Sequence, residues 1–90
     1  MITWDESKRQ LNLKRHNIDL AEVASVFDNP MHTVEDKREH YGEERLQSLC
    51  WLQGRVVFLV WTERDDSAQL ISCRDGDKHE TRTYFKTLGL

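Results

Sequence analysis

Arg45-Leu-Gln-Ser-Leu-Cys-Trp-Leu-Gln-Gly-Arg-Val-Val-Phe-Leu-Val-Trp-Thr62 reads as two strands folded back on each other around Gln53-Gly54. A two-residue connection of that kind favours the tight turns of an antiparallel hairpin. The second arm, Arg55–Thr62, is apolar on both faces from Val56 to Trp61, which marks a central strand covered on either side. Toward the C-terminus, Glu63–Ser67 is a polar turn, Ala68–Arg74 a further strand and Asp75-Gly76 turn chemistry. Asp77 followed three residues later by Glu80 has capping-box spacing and predicts a helix from Lys78 to about Leu88. Toward the N-terminus, Met31–Glu35 is an edge-strand candidate. The charged stretch 36–44, which holds Gly42, reads as the loop that joins it to the hairpin.

The first thirty residues read as strand, helix, helix. Ile2-Thr3-Trp4 is a short strand, and Asp5 can cap a helix that runs to about His16. Asn17 follows, a residue that tolerates the left-handed conformation at helix ends. Asp19 and Glu22 have capping-box spacing, with Ile18 and Val23 as a hydrophobic staple. Leu20, Val23, Ala24 and Phe27 then make one apolar helical face, and Asp28-Asn29-Pro30 stops it. The order β-α-α-β-β-β-β-α predicts an α+β fold. Its sheet is mainly antiparallel, with two N-terminal helices and one C-terminal helix.

Ninety residues, 32% charged and 38% hydrophobic, suit one folded domain over 1–90. No apolar run approaches the ~20 residues of a membrane span, and the start does not read as a signal peptide, so a cytoplasmic location is expected. Cys50 and Cys73 fall in strands and read as buried, reduced thiols. The net charge of −3 counts against an ordinary nucleic-acid binder. Its distribution is uneven, however. Residues 1–16 carry Lys8, Arg9, Lys14 and Arg15 against Asp5 and Glu6, while 17–36 hold five carboxylates and no Lys or Arg. The two segments suit different partners.

Several matches, in order and at similar spacing over nearly the whole chain, carry a family resemblance. They are Trp4-Asp5 before a helix with Lys8 and Asn12, Arg15-His16 at its end, Val26-Phe27, Glu44-Arg45, the strand Ile71-Ser72-Cys73-Arg74, and Glu80 and Tyr84 on the last helix. In this the chain resembles the BrnT family of toxins from bacterial type II toxin–antitoxin pairs. It departs from the family in having Asn17 for a glycine and Cys73 for an alanine, and it lacks a glycine near Cys50. The resemblance implies a fold like that of RelE-type ribonucleases and an RNA substrate, ribosome-associated or free. It also implies a BrnA-like antitoxin that binds DNA and joins the toxin in a hetero-oligomer, which silences the toxin and represses the shared operon.

RNA cleavage without a metal needs a base for the ribose 2′-OH, cations for the pentavalent phosphate and an acid for the leaving oxygen. Arg74 ends a strand beside a helix N-terminus, where a phosphate is readily held. It is the first choice for the cation; the alternative is a surface arginine paired with Asp75 or Glu80. Arg64 and Arg45 are secondary phosphate candidates or plain strand-end charges. Lys8, Arg15 and Lys78 are candidate RNA contacts. His16 suits a general base, and equally the last turn of a helix, where its charged form meets the dipole. His79 is open to a catalytic role or to a surface position in the first helical turn. Glu80 is a base or a capping residue, and Tyr84 an acid, a stacking platform or a core residue. Trp4, Trp51 and Trp61 read as core.

Neither metal-ligand spacing among the His and Cys residues nor a phosphate-loop or nucleophile-elbow motif occurs, and no cofactor is expected. The expectation is thus a ribonuclease toxin in which Arg74 projects into an open, cation-lined hollow. Its rivals are a binding module that only steadies an antitoxin and a domain in which these residues merely cap and pack.

Overall fold

The computed structural model describes residues 1–38, 40 and 42–89. Five strands form one sheet: β1 (Ile2–Trp4), β2 (His32–Asp36), β3 (Arg45–Leu52), β4 (Arg55–Arg64) and β5 (Ser67–Asp75). The order is β1-β5-β4-β3-β2, with every neighbouring pair antiparallel except β1 and β5. Helix α1 (Glu6–His16) packs beside β5, and α2 (Lys78–Leu88) lies across β4 and β3 and reaches β2. The α+β architecture and the central position of β4 agree with the sequence. Of the loop expected over 36–44, Glu39 and Tyr41 lie outside the described residues.

The local signals explain most element ends. Gln53 and Gly54 take φ 48° and 84°, the left-handed pair that a tight hairpin turn requires. Asp65 and Asp66 do the same at φ 47° and 66°, so β4 and β5 run two residues and one residue further into the polar segment than its composition suggests. Asn17 ends α1 in the left-handed conformation, and Asp77 and Glu80 form the full capping box of α2. Asp5 stands at the N-cap of α1, but its side chain makes no capping bond.

The second predicted helix is corrected. Residues 20–28 form two short 3-10 helices, Leu20–Glu22 and Ala24–Asp28. The fully buried residues are Leu20, Val23 and Val26. Spacing of three matches the three residues per turn of a 3-10 helix, whereas the α-helical face drawn through Ala24 leaves that alanine exposed. Asp19 still acts as a cap, accepting from the Ala21 N–H at 2.9 Å, while the Arg9 guanidinium grips both of its oxygens. This ties α1 to the segment that follows.

Each sheet face has its own cluster. Ile18, Leu20, Val23 and Val26 pack over Val57, Leu59, Trp61, Leu70 and Cys73 on one face. On the other, Tyr84 of α2 covers Leu49 and Val56, with Trp51, Phe58, Phe85 and Leu88 around it. Cys50 and Cys73 are free, buried thiols. They sit on β3 and β5 with β4 between, about 10 Å apart by strand spacing, which is beyond disulfide reach.

Candidate functional site

A one-residue irregularity in β5 aims the site. Along β4, Val60 pairs with Ser72 but Trp61 pairs with Leu70, so Ile71 is an extra residue. In an unbroken strand Leu70 and Arg74 would share a face. The bulge at Ile71 reverses the alternation. Leu70 therefore buries in the first cluster, while Arg74 emerges on the α2 face opposite Phe58.

There the Arg74 guanidinium lies over the Phe58 ring, 4.3 Å from its centroid. Its two terminal nitrogens donate to Glu80 Oε1 and Oε2 at 2.8 and 2.9 Å, and one also reaches the Asp75 carbonyl. The Arg74 side chain stays 40% exposed, so the pair clamps the guanidinium without burying it. Beside it opens a hollow of about 200 Å³ lined by His32, Gln47, Phe58, His79, Glu80 and Thr83. Arg38 lies close enough that its like charge acts on Arg74, while its own guanidinium holds the buried Asp36 carboxylate.

Both carboxylate oxygens of Glu80 are engaged. Oε1 accepts from Arg74 and from the Asp77 N–H, and Oε2 accepts from Arg74. The Arg74 bond holds its carboxyl below the usual range, so it stays ionised and is a poor proton acceptor. Tyr84 is likewise taken out of the catalytic set: it is 1% exposed, stacked near Trp51, and its hydroxyl donates to the Pro30 carbonyl at 2.8 Å. That bond fastens α2 to the residue just ahead of β2.

The expected arginines do not converge. Arg64 lies six residues along β4 from Phe58, about 20 Å away by strand rise, and its guanidinium is paired with Glu43 at 2.8 and 2.9 Å. Arg45 shares the face of Arg74 but stands four residues along β3 from Leu49, about 13 Å, opposite Asp36. Sequence reasoning passed over Arg38, Phe58 and His32. Phe58 and Arg38 come near Arg74, and His32 lines the hollow with Phe58 and Glu80, through long-range packing that no local pattern encodes.

Lys8, Arg15 and His16 do come together, with Asn12, Ile71 and Ser72, around a separate hollow of about 180 Å³ at the edge of β5. Spacings of seven and eight residues place them on one helical face. His16 thus stands beside Lys8 and Arg15 rather than in the hollow next to Arg74. Asn12 beneath them is 3% exposed and clamps the β5 backbone: it donates to the Cys73 and Ile18 carbonyls at 2.9 and 2.8 Å and accepts from the Cys73 N–H at 2.8 Å. Lys78 is exposed in the first turn of α2.

Residues 4–80 match the family model of the ribonuclease toxin BrnT of type II toxin–antitoxin systems. The chain belongs to the BrnT family. As a member of that family it is a ribonuclease toxin and has an antitoxin partner. The crystal structure of the Brucella abortus ribonuclease toxin BrnT, at 1.1 Å resolution, has the same fold, with a TM-score of 0.71 at 24% identity over 86% of this chain and 96% of that one. None of the curated proteins matches the sequence. The match to the BrnT family ends at Glu80, so it takes in Arg74 and its carboxylate partner and leaves out most of α2. No helix among the described residues is long and apolar enough to cross a membrane.

Proposed function

We propose that this chain is an endoribonuclease that cleaves RNA by attack of the ribose 2′-oxygen on the adjacent phosphorus. It does so without a metal ion and halts translation when released from its antitoxin. One observation carries this reading: Arg74 is held over Phe58 by Glu80 at the rim of an open hollow, half-exposed and charged. A guanidinium fixed in that way offers its remaining N–H donors to a phosphate with little reorganisation. Lys8 and Arg15 along the β5 edge, beside His16, and Lys78 at the start of α2 supply cations near which an RNA backbone can lie. Arg45, farther along the same face, extends that track. The partner is a BrnA-like antitoxin with a DNA-binding portion. It forms a hetero-oligomer with the toxin in the cytoplasm, and the RNA is free or ribosome-bound.

The rival is a binding module without catalysis. It is favoured by the Arg74–Glu80 pair itself, because one edge of the guanidinium is already neutralised. Incubating the purified chain with RNA in excess EDTA separates the two. Cleavage that leaves 2′,3′-cyclic phosphate ends, and that disappears in a folded Arg74→Ala variant, supports the enzyme. Intact RNA under conditions where the chain still binds its antitoxin supports the module. Cleavage that EDTA abolishes overturns metal independence.

A further inference from the structure

The hollow beside Arg74 contains two side chains to which the proposed reaction has so far given no task. His32 enters from edge strand β2, and His79 from the first turn of α2. They are distant in sequence and meet because α2 crosses β4 and β3 to reach β2, where the Tyr84–Pro30 bond fixes it. Among the described residues neither imidazole has a hydrogen bond or ion-pair partner, so both rings keep their nitrogens available. The other polar side chains that could move a proton at this hollow are committed. Glu80 is ionised with both oxygens engaged, Tyr84 is buried, and an arginine stays protonated.

We propose that His32 and His79 are the acid–base pair of the cleavage reaction; this rests on the 2′-oxygen mechanism above. One imidazole, neutral, takes the 2′-OH proton as the oxygen forms its bond to phosphorus. The other, protonated, gives its proton to the 5′-oxygen as the P–O5′ bond breaks. Arg74 meets the charge that builds on the phosphorane oxygens. The products are a 2′,3′-cyclic phosphate and a 5′-hydroxyl, and the two histidines finish in exchanged protonation states that solvent restores. The charged groups around the pair are Glu80 from α2, its partner Arg74 from β5, and Arg38 just beyond β2, whose charge reaches Arg74; Gln47 and Ser48 of β3 and Thr83 of α2 are neutral.

The test uses the purified chain, an RNA oligonucleotide, its 2′-deoxy counterpart and a version with sulfur replacing the bridging 5′-oxygen. Thiolate leaves without a proton, so the sulfur substrate needs no general acid. His32→Gln and His79→Gln should each slow cleavage of ordinary RNA by about 10²–10⁴-fold. Each should also remove one limb of a bell-shaped pH–rate profile, and the sulfur substrate should restore one variant and leave the other slow. His→Asn versions and circular dichroism separate chemistry from misfolding. Histidine variants within about threefold of wild type, or equal rescue of both or of neither, overturn the proposal while Arg74→Ala still reports a working ribonuclease. A wild-type chain that leaves RNA intact, or cuts the 2′-deoxy oligonucleotide equally, sinks the 2′-oxygen mechanism instead.

Discussion

Asn12→Ala should destabilise this small protein severely although it removes only one amide. Strand β1 makes its last pair at Trp4 with Leu70, so Cys73 of β5 lies beyond it. The Asn12 side chain takes the place of a neighbouring strand: its oxygen accepts from the Cys73 N–H, and its nitrogen donates to the Cys73 carbonyl and to the Ile18 carbonyl. Truncation orphans three backbone groups, each costing about 1–3 kcal/mol if left dry. The adjoining hollow lined by Lys8, Arg15 and Ser72 lets water reach part of the gap, which places the loss near the lower end, about 2–4 kcal/mol. A chain of this length has roughly 5–13 kcal/mol in all, so a fall in Tm of about 10–25 °C follows. Asn12→Asp sharpens the reasoning. It keeps the acceptor for Cys73 N–H but sets a carboxylate against two carbonyls, so at pH 7 it should be worse than alanine. Its folded-state pKa is raised, so stability returns as pH falls through that value. Urea denaturation with an unchanged m-value reads both. An alanine variant within about 0.5 kcal/mol of wild type, or an aspartate variant no worse than alanine at neutral pH, refutes this account of the clamp.

Arg64→Ala should leave RNA cleavage within a few-fold of wild type, because Arg64 is far along β4 from Phe58 and paired with Glu43; Arg74→Ala measured beside it should lose about 10²-fold or more. Glu80 and Asp36 both have depressed pKa values, each chiefly from an arginine hydrogen bond. They therefore contribute stability above the ordinary carboxylate range that is lost as pH falls through their folded values. Thermal melts from pH 6 to pH 3 should slope less steeply for Glu80→Gln than for wild type. Burial pushes both thiols up to about 12, so a disulfide reagent should label Cys50 and Cys73 only at the rate of unfolding; labelling at a free-thiol rate contradicts the packing. Deleting Ile71 should leave a folded, cooperatively melting chain, since Leu70 and Arg74 then stand three residues apart in a regular strand and keep to opposite faces; a deletion variant that fails to fold contradicts the reading of Ile71 as the extra residue.

Features written within a few neighbouring residues were legible in the chain alone: the Gln53-Gly54 hairpin, the Asp77–Glu80 capping box, the left-handed Asn17 and the apolar central strand. Turn and cap energetics depend on adjacent side chains and on φ, which a short window contains. The second helix differs in kind from its expectation because apolar residues at spacing three imitate an amphipathic α-helical face over so short a span. The site was legible only as residue types. Arg74 faces Phe58 because of a bulge, His32 meets His79 because α2 reaches β2, Asn12 serves Cys73 across the fold, and Tyr84 is spent on Pro30. Each of those facts follows from strand register and from how a helix lies on a sheet. Contacts between distant residues are set by the packing of whole elements, and no local run of side chains carries that information.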